Sequence, residues 1–202
     1  MLTIALPKGR IADETLDRFE KAFGEKFVFE DRKLILEKSG FKFLNVRNQD
    51  VPTYVMHGAA DLGVVGLDVL EEKEYDLIKL LDLKLGRCKV AFGLRAGEKL
   101  NFDKSKITIA TKHEKIAKRY FGQKAMAVEI IKLYGSIELA PLVGLCDCIV
   151  DIVETGETMK QNGLEVGPTI METTAHLIAN KNSFYAKKDL IFDLKDKLEK
   201  FL

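Results

Sequence analysis

The sequence predicts an α/β protein, and three observations carry that expectation. Short apolar runs alternate with amphipathic segments along the whole chain. One run, Cys148–Val153, is almost purely apolar, as a strand buried on both faces should be. Hydrophobic residues make up 47% and charged residues 31% of 202 residues, enough to build one large domain or two small lobes.

Each element follows from local chemistry. Residues 2–6 form a short strand that Pro7 ends. Ile11, Leu16, Phe19 and Phe23 fall mainly on one face of a helix over Arg10–Phe23, with Gly24 as its stop. Strands are expected over 33–36 and Phe41–Val46. Asp50-Val51-Pro52 reads as a helix start, with Asp50 as cap and the proline in the first turn. A strand over 61–66, a short helix over 68–73 and a strand over 77–83 come next. A second group begins near Arg87, with strands at 106–110 and 127–133 around a helix over 113–121. Ser136 is expected to cap a helix of one to two turns that Gly144 closes. After Cys148–Val153, a helix opens at 155–158 and ends near Gly163. Residues 169–179 read as mostly extended. Asn182-Ser183 is expected to cap a last helix with Leu190, Leu194, Leu198 and Leu202 at i, i+4 spacing.

Composition excludes several classes. With 32 Lys and Arg against 31 Asp and Glu, the net charge of +1 offers no bulk attraction to nucleic acid or anionic membrane. No apolar run approaches the ~18 residues of a membrane span, and MLTIALPKGR is not a secretory signal. Cys88, Cys146 and Cys148 are too few for a disulfide framework, which points to a reducing cytoplasm. Cys146 and Cys148 form C-x-C with no histidine near them in sequence, so they read as buried small hydrophobes rather than metal ligands. Two seams, at 84–87 and 180–182, suggest two lobes crossed twice by the chain: 1–86 plus 181–202, and 87–180. A cleft between lobes is then the expected ligand site.

The chemistry concentrates in Asp151-Ile152-Val153-Glu154-Thr155-Gly156-Glu157-Thr158. An apolar strand delivers two carboxylates, and a T-G-x-T turn and a helix start follow. Backbone N–H groups at a helix start attract anions. Gly156 lets the backbone approach a phosphate, and the Thr155 and Thr158 hydroxyls donate to its oxygens. Asp151 and Glu154 suit ribose hydroxyls or a Mg²⁺ on a phosphorylated sugar. A plainer reading makes Thr155 a helix cap, with Glu154 and Glu157 favouring the dipole. Paired acids before T-G-x-T are the layout of phosphoribosyltransferases, whose loop binds the sugar 5-phosphate.

Glu138, Gly144, Ile149, Asp151, Thr155, Gly156, Thr158 and Met159 keep the spacing of the ATP phosphoribosyltransferase signature. Cys146 stands where that family usually has Ala, Ser or Gly, another small residue. Leu6-Pro7-Lys8-Gly9-Arg10 resembles the family's N-terminal loop, and Asp31-Arg32-Lys33-Leu34 its second basic segment. Asp50-Val51-Pro52-Thr53-Tyr54-Val55, His57-Gly58-Ala59-Ala60-Asp61-Leu62-Gly63, Leu80-Leu81-Asp82-Leu83 and the stretch from Lys132 to Pro141 extend the resemblance over residues 2 to 164.

The resemblance implies a two-lobed fold similar to type II periplasmic binding proteins, with the active site in the interlobe cleft. It implies condensation of ATP, through N1 of adenine, with 5-phosphoribosyl 1-pyrophosphate, giving phosphoribosyl-ATP and pyrophosphate. It places Lys8, Arg10 and Arg32 near pyrophosphate or ATP phosphates, where a guanidinium fork binds bidentately. Asp68 matches a substrate-contacting aspartate. Asp151, Glu154, Thr155, Gly156, Glu157 and Thr158 would hold the phosphoribosyl group. One Mg²⁺ would be held mainly by pyrophosphate oxygens, with no direct protein ligand set. The length matches the family's short form, whose homodimers work in a hetero-oligomer with a regulatory subunit related to histidyl-tRNA synthetase.

Plainer readings stand beside these. A cation at a helix start opposes the dipole, so Lys8 and Arg10 point to another role. Arg32 lies in an alternating-charge run that by itself is a solvated face. Asp50 and Ser136 read as caps, Glu138 as an acid complementing a helix start, and His57 as structural. The rivals are a non-catalytic cytosolic ligand-binding or sensor module of the same fold, and a phosphoribosyltransferase with another acceptor base.

Overall fold

The computed structural model describes residues 1–101 and 103–202. Two compact units emerge. The first comprises Met1–Leu70, Glu74–Gly86 and Thr174–Leu202; the second comprises Glu71–Lys73 and Arg87–Thr173.

The first unit is built on a six-stranded mixed sheet of β1 (Leu2–Pro7), β2 (Ile35–Lys38), β3 (Phe41–Val46), β4 (Leu62–Gly66), β5 (Ile78–Asp82) and a late strand, Ala175–Ala179. Its order is β2, β3, β1, β4, Ala175–Ala179, β5. β1 runs parallel to both β3 and β4, while β2 and the late strand run antiparallel to their neighbours. β1 is buried on both faces. Leu2, Ile4 and Leu6 join one cluster with α1 (Arg10–Phe23), and Ala5 joins another with α2 (Val51–Met56) and α3 (Leu67–Lys73). Phe19 of α1 sits at the centre of the first cluster, with the rings of Phe23, Phe27, Phe41 and Phe43 within 5.1–6.0 Å, mostly edge to face.

The second unit is a five-stranded sheet. Its strands are β6 (Cys88–Arg95), β7 (Ile107–Thr111), β8 (Val128–Lys132), β9 (Cys148–Val153) and β10 (Leu164–Thr173), in the order β10, β6, β9, β7, β8. The strand Ala175–Ala179 is β11. β7 is parallel to β8 and β9, and β6 is antiparallel to β9 and β10. α4 (Glu114–Gln123) covers one face through Ile116, Ala117 and Phe121. The other face packs Ile149 and Val153 against Ala140 of α5 (Leu139–Leu142) and Met159 of α6 (Glu157–Gln161).

Four expectations need correction. The second seam lies at Thr173/Thr174, not at 180–182, because β11 pairs with β4 and β5 and so belongs to the first sheet. The first unit is therefore not 1–86 plus 181–202, and the second is not 87–180. Ser136 caps no helix: its φ is +48°, and Glu138 holds the position before α5. The C-terminal segment is two helices, α7 (Lys181–Ala186) and α8 (Lys188–Glu199). Asn180, not Asn182 or Ser183, caps the first by accepting from the Ser183 N–H at 3.0 Å. On α8 the buried residues are Ile191, Leu194 and Leu198, whereas Leu190 and Leu202 are exposed. The covered stripe thus follows i, i+3, i+7 rather than an unbroken i, i+4 ladder.

Candidate active site

The site grows from β9. Side chains alternate along a strand, so Ile149, Asp151 and Val153 share the face toward α5 and α6. That alternation places a carboxylate, 9% exposed, at the end of an apolar strand. The chain leaves the sheet at Glu154 and Thr155, both exposed. It turns at Gly156, whose φ of +84° precedes α6. A Cβ there would also stand 2.9 Å from Val166 Cγ2, so both conformation and space demand glycine. Thr155 Oγ1 accepts from the Glu157 N–H at 3.3 Å, shaping the turn. Thr155 lies one residue ahead of the capping position, which Gly156 occupies.

Asp151, Glu154, Thr155, Gly156 and Thr158 come together around a pocket of about 330 Å³, with Glu138 on its wall. The donors available to an anion are the threonine hydroxyls and the turn's backbone N–H groups. α6 has only five residues, so its macrodipole adds little to the attraction of an anion. Glu157 is not part of the lining; its Oε1 accepts from Gln161 Nε2 at 3.2 Å along α6.

Asp151 is engaged from a second element. Its Oδ1 accepts from the Ile152 N–H at 2.8 Å and lies 3.0 Å from Lys112 Nζ. His113 Nε2 stands 3.8 Å from the same oxygen. Lys112 and His113 follow β7 in the turn into α4, which is clamped to β9. Thr111 Oγ1 donates to Val150 O at 2.5 Å and accepts from the His113 N–H at 2.8 Å. Sequence reading missed Lys112 and His113. A signal existed: Lys112 stands directly after an apolar strand, as Lys8 does.

The remaining expected residues belong to the first unit. Lys8 follows β1, its N–H donating to Val46 O at 2.8 Å. Gly9, with φ +95°, opens α1, and Arg10 pairs with Glu14 one turn on, Nε to Oε1 at 3.3 Å. Asp68 is buried in the first turn of α3, directly after β4. Arg32 is exposed, with φ +58°, ahead of β2. Because β1, β3 and β4 are parallel and Ile35 pairs with Leu44, the turns bearing Lys8, Arg32 and Asp68 all open at the carboxyl edge of this sheet. That edge is where open α/β sheets bind ligands.

Comparison with known proteins gives the chain a family. A family model described as HisG, ATP phosphoribosyltransferase, matches residues 47–200. An ATP phosphoribosyltransferase of Wolinella succinogenes is 66% identical over 200 residues, covering 99% of this chain and 97% of the relative. One from Sulfurovum sp. is 65% identical over 199 residues, covering 98% and 97%. Among solved structures, the ATP phosphoribosyl transferase (HisG:HisZ) complex from Thermotoga maritima aligns with a TM-score of 0.84 and 36% identity, over 99% of this chain and 98% of that one. The periplasmic aliphatic sulphonate binding protein SsuA from Escherichia coli aligns at a TM-score of 0.63 and 13% identity, over 98% and 71%, and shows a shared fold of the periplasmic-binding type. The apolar strand β9, its paired acids and the T-G-x-T turn thus sit in a chain that belongs to the ATP phosphoribosyltransferase family, the enzymes of the first step of histidine biosynthesis.

Proposed function

We propose that this chain joins N1 of the adenine of ATP to C1 of 5-phosphoribosyl 1-pyrophosphate, releasing pyrophosphate, and that the pocket after β9 holds the phosphoribosyl group. The observation that carries this reading is the convergence of Asp151, Glu154, Thr155, Gly156 and Thr158 on one pocket. The hydroxyls of Thr155 and Thr158 and the turn N–H groups bind the 5-phosphate. Asp151 and Glu154 accept from the ribose hydroxyls and stabilise the positive charge that develops on the ring as the leaving group departs. Lys8, Arg10 and Arg32 meet the phosphates of pyrophosphate and ATP, and Asp68 contacts substrate. Glu157 supports the turn through its helix. No protein nucleophile is required; positioning and electrostatics carry the reaction.

The family's reaction needs a divalent metal, and Mg²⁺ is our assignment. Among the described residues, no group of three or more His, Cys, Asp or Glu converges on a metal. The pocket's carboxylate and hydroxyl oxygens suit a hard cation carried in on the pyrophosphate. When bound, such a cation would supply positive charge against the leaving group.

No helix among the described residues is long and apolar enough to cross a membrane, and we place the enzyme in the cytoplasm. By its likeness to the HisG:HisZ complex, we propose that homodimers of the chain assemble with a separate regulatory subunit. The test is phosphoribosyl-ATP formation from ATP and the sugar pyrophosphate with Mg²⁺, with and without a HisZ-type subunit. Product, with histidine inhibition only when that subunit is present, is expected. A folded chain that makes none in either condition returns the pocket to a phosphate sensor.

A further inference from the structure

Among the described residues, the three contacts on the Asp151 carboxylate fall on Oδ1, and two of them come from outside its own strand. The turn that supplies them is rigidly placed. Thr111, fully buried, ties its hydroxyl to Val150 O, the carbonyl just before Asp151, and the same hydroxyl accepts from the His113 N–H. The backbone that carries Lys112 is therefore indexed to the backbone that carries Asp151. The pocket wall itself is acidic, with Glu138, Asp151 and Glu154. An acidic wall repels a polyanionic sugar phosphate unless a cation offsets it. Lys112 is half-buried, so its ammonium is partly shielded from water where it meets Asp151.

Resting on the phosphoribosyl reading of this pocket, we infer that Lys112 is a positioning residue: by engaging Oδ1 of Asp151 it fixes the carboxylate, so that Oδ2 is the oxygen offered to a ribose hydroxyl. Lys112 acts through Asp151 rather than on the reacting atoms. The Thr111 clamp makes its reach short and reproducible, which a lysine on a loose loop does not provide.

The experiment is a double-mutant cycle on the full chain with its regulatory subunit present, using Lys112→Met, Lys112→Arg, Asp151→Asn and the pair Lys112→Met/Asp151→Asn. Affinity for 5-phosphoribosyl 1-pyrophosphate with Mg²⁺ is read by titration calorimetry, so the cycle does not depend on turnover, and KM values are read for both substrates. Lys112→Met should weaken binding of the sugar pyrophosphate roughly tenfold, the scale of losing a partly buried ion pair, and should lower the melting temperature by about a few degrees as Asp151 loses its cation, while KM for ATP stays put. Lys112→Arg should restore most of the loss. In the Asp151→Asn background, Lys112→Met should add nothing, because its only route is through that carboxylate. Unchanged affinity in Lys112→Met, or fully additive losses in the pair, overturns the inference. A wild-type chain that neither binds the sugar pyrophosphate nor makes phosphoribosyl-ATP overturns the reading beneath it instead, and that outcome is visible before any variant is compared.

Discussion

Lys187 Nζ lies 2.7 Å from Oδ2 and 2.8 Å from Oδ1 of Asp61, joining residues 126 positions apart. Oδ2 also accepts from the Thr3 N–H at 2.9 Å. One carboxylate thereby ties the start of α8 to the β1 and β4 edge of the first sheet. Burial pushes the Asp61 carboxyl up, but Lys187 and the Thr3 N–H outweigh it and hold it below its ordinary value. Its contribution is thus complete above the ordinary carboxylate range and disappears as pH falls through the depressed native value. Lys187→Met leaves the carboxylate without its cation. Because Lys187 is itself about one-third exposed, the expected cost at pH 7 is about 2 kcal/mol. Thermal unfolding should show a fall of roughly 4–8 °C for a chain of this size, and the gap to wild type should close as the solution is acidified below pH ~4.

Gly156→Ala should damage binding more than folding. A non-glycine residue at φ +84° costs about 1–2 kcal/mol, and its Cβ would press on Val166 Cγ2. The turn relieves both by shifting, and that moves the N–H groups and hydroxyls meant for the phosphate. KM for the sugar pyrophosphate should rise more than tenfold, with a smaller proportional change in KM for ATP. An alanine variant with unaltered kinetics would remove this turn from the phosphate site.

Thr158→Val removes one hydroxyl and keeps the side-chain shape. Thr158 is exposed on α6, so stability should hold within about 0.5 kcal/mol. Loss of a hydrogen bond to a charged phosphate should weaken the sugar pyrophosphate by roughly tenfold or more. Steady-state kinetics beside a melting curve check both halves.

The three thiols should differ in reactivity. Burial, helped by Cys146 and Asp147, pushes the Cys148 thiol up to about 12, and burial raises Cys146 as well. Cys88 is only half-buried. Iodoacetamide at pH 8 should modify Cys88 first, with Cys146 and Cys148 reacting only on unfolding, because the thiolate is the nucleophile. Peptide mapping of a time course reads the order.

Gly63→Ala should destabilise the first unit without touching the pocket after β9. Its Cβ would stand 2.7 Å from Val55 Cγ2 and 2.8 Å from Val51 Cγ1, closer than packed atoms tolerate. Overpacking of this kind costs about 1–3 kcal/mol. Denaturant unfolding checks the size.

Where a segment's own pattern decided its form, reading the sequence succeeded. Arg10–Phe23 and Phe41–Val46 begin and end where periodicity, Gly24 and the flanking polar residues place them. Cys148–Val153 is the doubly buried strand that its composition announces. The acids and the T-G-x-T turn were legible for the same reason: strand, turn and helix start are consecutive in the chain. Lys112 was not legible as part of the site, because 39 residues separate it from Asp151 and only the parallel pairing of β7 with β9 brings them together.

By itself, the sequence determined the α/β class, most element bounds, the family, and the run Asp151, Glu154, Thr155 and Thr158 that lines the pocket, whereas Glu138, read only as an acid at a helix start, joins that lining through the fold. The tertiary structure decided where the chain returns to the first sheet, since Ala175↔Gly66 pairing draws β11 there. It decided that Ile191, not Leu190, faces the core. It also decided which cation stands on Asp151. Local patterns state how strongly each residue prefers burial or a turn. Strand neighbours, helix facing and ion partners depend on contacts between segments tens to more than a hundred residues apart, and those are settled only when the two sheets close over their cores.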